Sequence, residues 1–338
     1  MDKKKVSVIV PCRNESLHIK KCVEHICSFD PPAGGFEVIV VDGMSNDGTR
    51  DILPALREEY PDLILIDNPE KTVPHAMNLG IHRATGEYIV RTDVRCIHPK
   101  SYLKDLISLS EETGGDNVGG TLEAAGSTYV QESIAAAYKS PLAAGRALGN
   151  RGNLTREVDT VYGGCFRREL LLKVGMYDEE MTRNQDDELS FRIRKYGGRI
   201  LQSGDIRIKY FPRKHYHQLF KQFLQYGYWK VPVIKRHPKQ ASWRHVMPSL
   251  FIFGLLGLGI ASFFSDIAFR GFLLYCGIYL LSLSLEGLRI TLPDNARLCP
   301  GVIASLITIH AGYGTGLGIS FIGHLAGVRI NGFKSLSR

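Results

Sequence analysis

Three long runs without a formal charge crowd the C-terminal end of this chain, and they leave it few folds. Val246–Ser265 holds twenty residues, Gly271–Leu285 holds fifteen between Arg270 and Glu286, and Leu298–Val328 holds thirty-one, with His310 and His324 as its only basic side chains. A helix that crosses the hydrocarbon layer takes roughly 20 apolar residues. The first and third runs meet that length. The second meets it when Arg270 snorkels to the interface. One such run could be the core helix of a soluble domain. Three in succession point to a transmembrane helical region over residues 246–338.

The segment that precedes them is basic. From Ile206 to Ser265 there is no Asp or Glu, against ten Lys and Arg; without those ten the rest of the chain carries 32 basic and 34 acidic residues. Phe211, Tyr216, Phe220, Phe223, Tyr226, Tyr228 and Trp229 lie among the cations. Cations and aromatics beside a membrane span describe a helix in the headgroup layer, so residues 213–245 read as a basic amphipathic segment on an anionic membrane surface. Nucleic acid can attract the same composition, but adjacency to the spans argues against a nucleic-acid partner. Positive segments stay cytoplasmic, which places the chain in the cell (inner) membrane as a multi-pass protein with its N-terminal part inside. Arg329, Lys334 and Arg338 in the tail should then also be cytoplasmic. Either the glycine-rich stretch 311–318 turns back as a re-entrant hairpin or the charge rule does not hold here, and two or three spans are both open. Seven cysteines, odd in number and without a Cys-x-x-Cys pair, read as reduced thiols. Oligomeric state is not encoded.

The first two hundred residues alternate strand-like and helix-like patterns. Val6–Val10 is too short an apolar run for a signal peptide and stops at Pro11, so it reads as a buried first strand. A helix pattern over 15–28, a strand over Val38–Val41, a helix over 47–60, a strand over Leu63–Ile66, a helix over 74–84 and a strand over Tyr88–Val90 follow. Further on, Val158–Tyr162 reads as a strand, with helices over Arg168–Val174 and Asn184–Tyr196. Gly145–Thr155 reads as a mobile loop. This order predicts an α/β domain with a mostly parallel sheet, whose ligands bind at the carboxyl ends of the strands.

The polar residues at those ends carry the chemistry. Asp42 closes the second strand and leads into Gly43-Met44-Ser45-Asn46-Asp47-Gly48-Thr49. An acid there suits a nucleotide, while Ser45, Asn46 and Asp47 equally suit helix capping. A carboxylate at Asp93, in Arg91-Thr92-Asp93-Val94-Arg95, could hold a divalent cation, Mg²⁺ or Mn²⁺, against a diphosphate, although a single carboxylate is a thin metal site. Asp186, Asp187 and Glu188 open a helix, where acids complement the dipole and where one could act as a general base. Gly163 and Gly164, at a strand end, allow close approach to the backbone.

Together these pieces resemble glycosyltransferase family 2, the inverting enzymes with a GT-A fold, over about residues 4–212. The resemblance rests on Ser7-Val-Ile-Val-Pro-Cys-Arg-Asn-Glu15, on Val40-Val41-Asp42 with Ser45-x-Asp47-Gly48-Thr49, on Asn78-x-Gly80 with Ala84-x-Gly86-Glu87-Tyr88, on Asp93, and on Gln185-Asp186. Within the family the chain is similar to succinoglycan-type membrane glucosyltransferases, through Arg183–Leu189, Tyr226–Lys230 and His237-Pro238 with Ala241–Arg244. Three positions depart from the pattern. Arg95 stands at the second metal-site acid, leaving Asp93 alone on the metal or contacting the diphosphate itself. Gln185 replaces a Glu. Gln225-Tyr-Gly-Tyr-Trp229 lacks the Arg of Gln-x-x-Arg-Trp.

The resemblance implies a GT-A domain over 1–212 that moves a sugar, from a UDP-type nucleotide-sugar donor, onto a polyprenyl-diphosphate-linked saccharide in exopolysaccharide assembly. It implies Asp186 as the catalytic base, with Pro11, Asn14, Glu15, Asp42, Asn78 and Asp93 around the nucleotide, and Arg95, Gly163, Gly164, Asp187, Gln225 and Trp229 near the acceptor or diphosphate. Two rivals stand beside it: a polyprenyl-phosphate monosaccharide synthase and a non-catalytic, membrane-tethered nucleotide-sugar binder.

Overall fold

The structure, a computed structural model, describes residues 4–143, 154–238 and 243–327. Its contacts divide the chain into two compact units, Met1–Glu123 with Asn150–Tyr210, and Ala124–Gly149 with Phe211–Arg338. The loop expected over Gly145–Thr155 lies largely outside the described residues, as do the basic tail beyond Gly327 and residues 239–242 of the segment before the first apolar run.

The first unit is a mixed sheet flanked by helices. Strands β1 (Val6–Cys12), β2 (Phe36–Asp42), β3 (Leu63–Asp67) and β4 (Tyr88–Arg91) run parallel in the order β3-β2-β1-β4. Between them lie helices α1 (Ile19–Cys27), α2 (Thr49–Glu59) and α3 (Val73–Arg83). Every residue of β1 and β4 is buried, because helices cover a parallel sheet on both faces. The register sets Cys12 beside Asp42 and Ile9 beside Arg91, so the loops after β1, β2 and β4 leave the sheet along one edge.

The other half of the sheet is antiparallel. It contains β5 (Cys96–Ile97), β6 (Asn117–Ala124), β7 (Arg156–Glu157), β8 (Cys165–Arg167) and β9 (Ile200–Tyr210), and β8 pairs antiparallel with β4. The expected strand over Val158–Tyr162 does not form; only Arg156–Glu157 pairs, with β9. Downstream, Gly163 and Gly164 both take positive φ, which breaks the extended path before β8 begins. Helices α4 (Tyr102–Thr113), α6 (Arg168–Val174) and α7 (Gln185–Lys195) complete the unit. Ile9, Ile39, Ile89, Met77, Leu189 and Ile193 share one core, which fixes α7 to the parallel strands.

The second unit is helical: α5 (Tyr129–Ala137), α8 (Tyr216–Arg236), α9 (Trp243–Ala261), α10 (Asp266–Thr291) and α11 (Cys299–Leu325). Two helices, Asp266–Thr291 and Ala296–Leu325, are long and apolar enough to cross a membrane, and Val246–Ala261 is a shorter apolar helix. The glycine-rich stretch 311–318 does not turn back; it is continuous helix within α11. Its glycines serve packing instead. A Cβ on Gly312 or Gly316 would strike the α8 backbone at Phe220 or Leu224, and one on Gly314 would strike Pro248 of α9. Small residues on alternate faces thus let two helices close onto α11. Leu250, Leu256, Ile260, Leu274, Leu281 and Leu285 of α9 and α10 are exposed.

Candidate active site

The loop after β1 is built by residues distant in sequence. Asn14 sits at φ 55, a left-handed conformation that Asn tolerates. Its backbone N–H donates to Ser45 Oγ at 2.8 Å, and its side-chain Oδ1 accepts from Asn46 N–H at 3.0 Å. Glu15 N–H donates to Thr49 Oγ1 at 2.8 Å, and Ser16 N–H to Asp47 Oδ2 at 3.1 Å. The Ser-Asn-Asp-Gly-Thr motif therefore zips the Asn14–Ser16 loop against the start of α2. Burial pushes the Asp47 carboxyl up, but the hydrogen bonds from Thr49 and Ser16 together outweigh it and hold the carboxyl down at about 2.

Asp42 is buried beneath this loop. Its Oδ1 accepts from Ser45 Oγ at 2.5 Å, and its Oδ2 from Ser45 N–H at 3.0 Å and Arg50 Nη1 at 2.9 Å. Arg50 also grips both oxygens of Asp67, at 2.8 and 3.1 Å. The Asp42 carboxylate thus holds its own turn and the end of β3. Asn78 is likewise engaged: Nδ2 donates to Tyr177 O and Glu179 Oε1, both at 2.9 Å, and Oδ1 accepts from Tyr177 N–H at 3.0 Å. Asn78, Asn68, His75 and Glu179 line a cleft of about 220 Å³ beside this strap.

A cluster of acids around an arginine lies at the end of β4. Arg91 donates from Nη1 to both oxygens of Asp186, at 2.7 and 3.0 Å, and from Nε to Asp93 Oδ1 at 3.1 Å. Its Nη2 stands 3.0 Å from the same Asp93 oxygen. Tyr162 donates its hydroxyl to Asp93 Oδ2 at 2.5 Å. Burial and the Asp93 charge push the Tyr162 hydroxyl well above its usual range, so it stays protonated and donates. Enclosure pushes the Asp186 carboxyl above the ordinary carboxylate value; Arg91 opposes this, while Asp93 and Asp187 add to it. Asp186 lies in the first turn of α7, where the helix dipole favours a carboxylate, and Asp187 beside it is half-buried. Glu188, the third acid, is buried and clamped by Arg192 at 2.7–3.0 Å.

Gly163 and Gly164 lie against this cluster for steric reasons. A Cβ on Gly163 would sit 2.9 Å from the Arg91 carbonyl, and one on Gly164 2.6 Å from Asn117 Oδ1. Gly164 O accepts the Arg91 N–H at 3.2 Å. The two glycines let this turn close on the end of β4. Arg95, four residues on, donates Nε to both oxygens of buried Glu15, at 3.2 and 3.0 Å. Pro11, buried, pairs with Val41 one residue before the β1 end. Gln225 and Trp229 belong to α8 of the second unit, where both are buried.

Asp93 and Asp186 are thus brought together through Arg91, whereas Asp42 and Asn78 are tied to other partners on the same unit. The sequence reading missed Arg91 and Tyr162. Arg91 left one signal, a lone cation ending an otherwise apolar strand, Tyr88-Ile-Val-Arg. Among the described residues no group of three or more His, Cys, Asp or Glu could hold a metal ion. Asp93 keeps 30% of its side chain open. Mg²⁺ or Mn²⁺ is commonly held by one or two carboxylates together with water and phosphate oxygens. The residues here fit a cation shared with a bound diphosphate and do not fit an all-protein cage.

The family model for glycosyl transferase family 2 matches residues 7–175. The chain is 29% identical over 243 residues to the succinoglycan biosynthesis protein ExoA of Rhizobium meliloti, covering 71% of this chain and 73% of that one. It is 26% identical over 314 residues to a dolichyl N-acetyl-alpha-D-glucosaminyl phosphate 3-beta-D-2,3-diacetamido-2,3-dideoxy-beta-D-glucuronosyltransferase of Methanococcus voltae, covering 90% and 93%. Among solved structures, its fold is similar to that of the mannosyltransferase PcManGT from Pyrobaculum calidifontis in complex with GDP-Man and Mn2+. That likeness has a TM-score of 0.63 at 21% identity, over 90% of this chain and 86% of that one.

Proposed function

The chain belongs to glycosyl transferase family 2, and from that premise we propose that it transfers a sugar from a nucleotide-diphosphate donor to a lipid-linked saccharide with inversion. The observation that carries this reading is the Asp186 carboxylate, held by Arg91 beside Asp93 at the carboxyl end of a parallel strand. An acceptor hydroxyl attacks the anomeric carbon from the face opposite the nucleotide. Asp186 takes its proton as the new glycosidic bond forms, and the bond to the diphosphate breaks with its electron pair. A carboxyl held above its ordinary range suits that role, since a base works best near the operating pH. Pro11, Asn14, Glu15, Asp42 and Asn78 form the nucleotide side, Asp42 and Asn78 by shaping the loops. Asp93 and, after rearrangement, Arg95 face the diphosphate. Asp93 would hold a divalent cation bound with the donor, which would supply charge to offset that on the departing phosphate.

In this reading residues 1–212 carry the chemistry, 213–245 meet an anionic membrane surface, and 246–338 anchor the chain in the inner membrane with the catalytic part cytoplasmic. Exposed apolar faces on α9 and α10 support the anchor. The ExoA and Methanococcus voltae relatives, named for succinoglycan biosynthesis and for transfer to a dolichyl-phosphate-linked sugar, support glycan assembly on a lipid-linked acceptor.

The test is transfer by the full chain in detergent, from a panel of UDP- and GDP-sugars to lipid-diphosphate saccharides, with and without chelator. Wild type transfers from one donor. Asp186→Asn loses about 10³-fold in kcat, in the middle of the range for general-base catalysis, and still binds nucleotide diphosphate. Equal turnover by that variant would falsify the assignment.

A further inference from the structure

We propose that Arg91 is a positioning residue for the transfer: its guanidinium holds the proton-accepting Asp186 in a set relation to the donor-side Asp93. The inference rests on the transferase reading above. Arg91 ends β4 with its side chain only 8% exposed, while Asp93 and Asp186 keep 30% and 34% of theirs open. The cation lies behind the two carboxylates and the carboxylates face outward. A guanidinium is planar and presents N–H groups along two edges, so two acids bound to it are fixed in distance and angle. One edge, Nε and Nη2, meets Asp93; Nη1 meets both oxygens of Asp186. The two acids stand 93 positions apart in sequence, and this contact joins the β4 edge to α7.

The backbone beneath the clamp is also locked. Gly164 O accepts the Arg91 N–H, and Gly163 passes so close to the Arg91 carbonyl that no side chain fits there. Tyr162, from the same turn, gives Asp93 a second donor. The supports are therefore unequal. Without the guanidinium, Asp93 keeps Tyr162, whereas Asp186 loses the N–H groups that aim it. A lysine ammonium can bridge two carboxylates, as Lys5 does with Glu87 and Glu111, but it is a point charge without two planar edges to fix their distance and angle.

This inequality sets the test. Arg91→Gln and Arg91→Lys are made in the full chain in detergent. Nucleotide-diphosphate affinity is measured by calorimetry with and without Mn²⁺, and kcat is expressed per nucleotide-binding site so that unfolded protein does not count. Both variants should lose about 10²-fold or more in kcat, with Arg91→Lys the less impaired, while nucleotide affinity stays within about threefold. Either variant turning over within about twofold of wild type overturns the inference. So does a loss of nucleotide affinity as large as the loss in kcat, which is what a purely structural ion pair would give. The wild-type arm separates the two levels: a wild-type chain that binds nucleotide but transfers no sugar overturns the transferase reading itself.

Discussion

Arg95 lies across both carboxylate oxygens of Glu15, with its Nε at 3.2 and 3.0 Å, and the two residues differ sharply in setting. The Glu15 side chain is fully buried while Arg95 is half exposed. A charged group buried at the end of β1 depends on such partners, since stripping one donor from a buried carboxylate costs about 1–3 kcal/mol. Arg95→Ala should therefore lower the thermal midpoint of the full chain in detergent. Glu15→Gln should lower it less, and the double variant should lose less than the sum of the two. Strict additivity within about 0.5 kcal/mol would show that the pair is not coupled.

In the proposed role of Asp186 as general base, the pH dependence of turnover follows from its carboxyl. Enclosure, with Asp93 and Asp187 adding to it, raises its carboxyl above the ordinary value of 3.8 despite the Arg91 cation. A base must be ionised, so kcat should fall as pH drops through that raised pKa, and the acid limb should lie above 3.8. The stability sign is the reverse. A raised folded pKa contributes most below the unfolded value and is lost as pH rises through the folded one. A kcat–pH profile checks this. An acid limb that persists unchanged in the residual activity of Asp186→Asn would belong to another group.

The glycines of α11 make a third prediction. A Cβ on Gly316 would lie 2.0 Å from the Leu224 carbonyl, and one on Gly227 would lie 2.1 Å from the Tyr313 carbonyl. Backbone cannot move aside as a flexible side chain can, so Gly316→Ala must part α8 from α11. Overpacking of this kind costs about 1–3 kcal/mol. Gly257, on α9, meets nothing within 4 Å, so Gly257→Ala serves as the control and should be neutral or slightly stabilising. Thermal midpoints in one detergent compare the two. Equal midpoints would remove the tight helix crossing from this account.

A cut after residue 212 gives the fourth. Helix α5 is packed by C-terminal elements: the Tyr129 hydroxyl donates to Arg297 O at 3.1 Å and accepts from Gly301 N–H at 3.2 Å, and Ser140 donates to Glu286 at 2.6 Å. His310 Nε2 lies 2.9 Å from Leu142 O. Removal of α10 and α11 strips these partners and uncovers apolar residues of α5 such as Ile134. The shortened chain should aggregate on size-exclusion chromatography and bind a hydrophobic dye, while the full chain in detergent does not. A monodisperse shortened chain with a cooperative melt would contradict the packing described.

The parallel half of the sheet was legible because its strands are short apolar runs and the first three are each followed by a helix. Local periodicity is enough to order β1 to β4. Val158–Tyr162 misled for the same reason that it was tempting. Its alternation is local, but Tyr162 is turned toward Asp93 and the two glycines behind it leave the extended region. Strands β6 and β9 pair with segments far away in sequence, and no local pattern reports that. The acidic triplet shows the limit inside one motif. Asp186 and Glu188 look alike as letters, yet one faces Arg91 and the other is held by Arg192 one turn on.

By itself the sequence determined the alternating α/β order, the acids at the strand ends and the apolar C-terminal helices, since short-range periodicity and hydropathy dictate those. Only the tertiary structure decided what each acid is bonded to. Arg91 joins Asp93 to Asp186, Arg50 occupies Asp42, Arg95 covers Glu15, and α5 leaves the sheet for the C-terminal helices. Such pairings follow from the positions of chain segments tens of residues apart, and a guanidinium on a long side chain will serve whichever carboxylates the packed core brings within its reach.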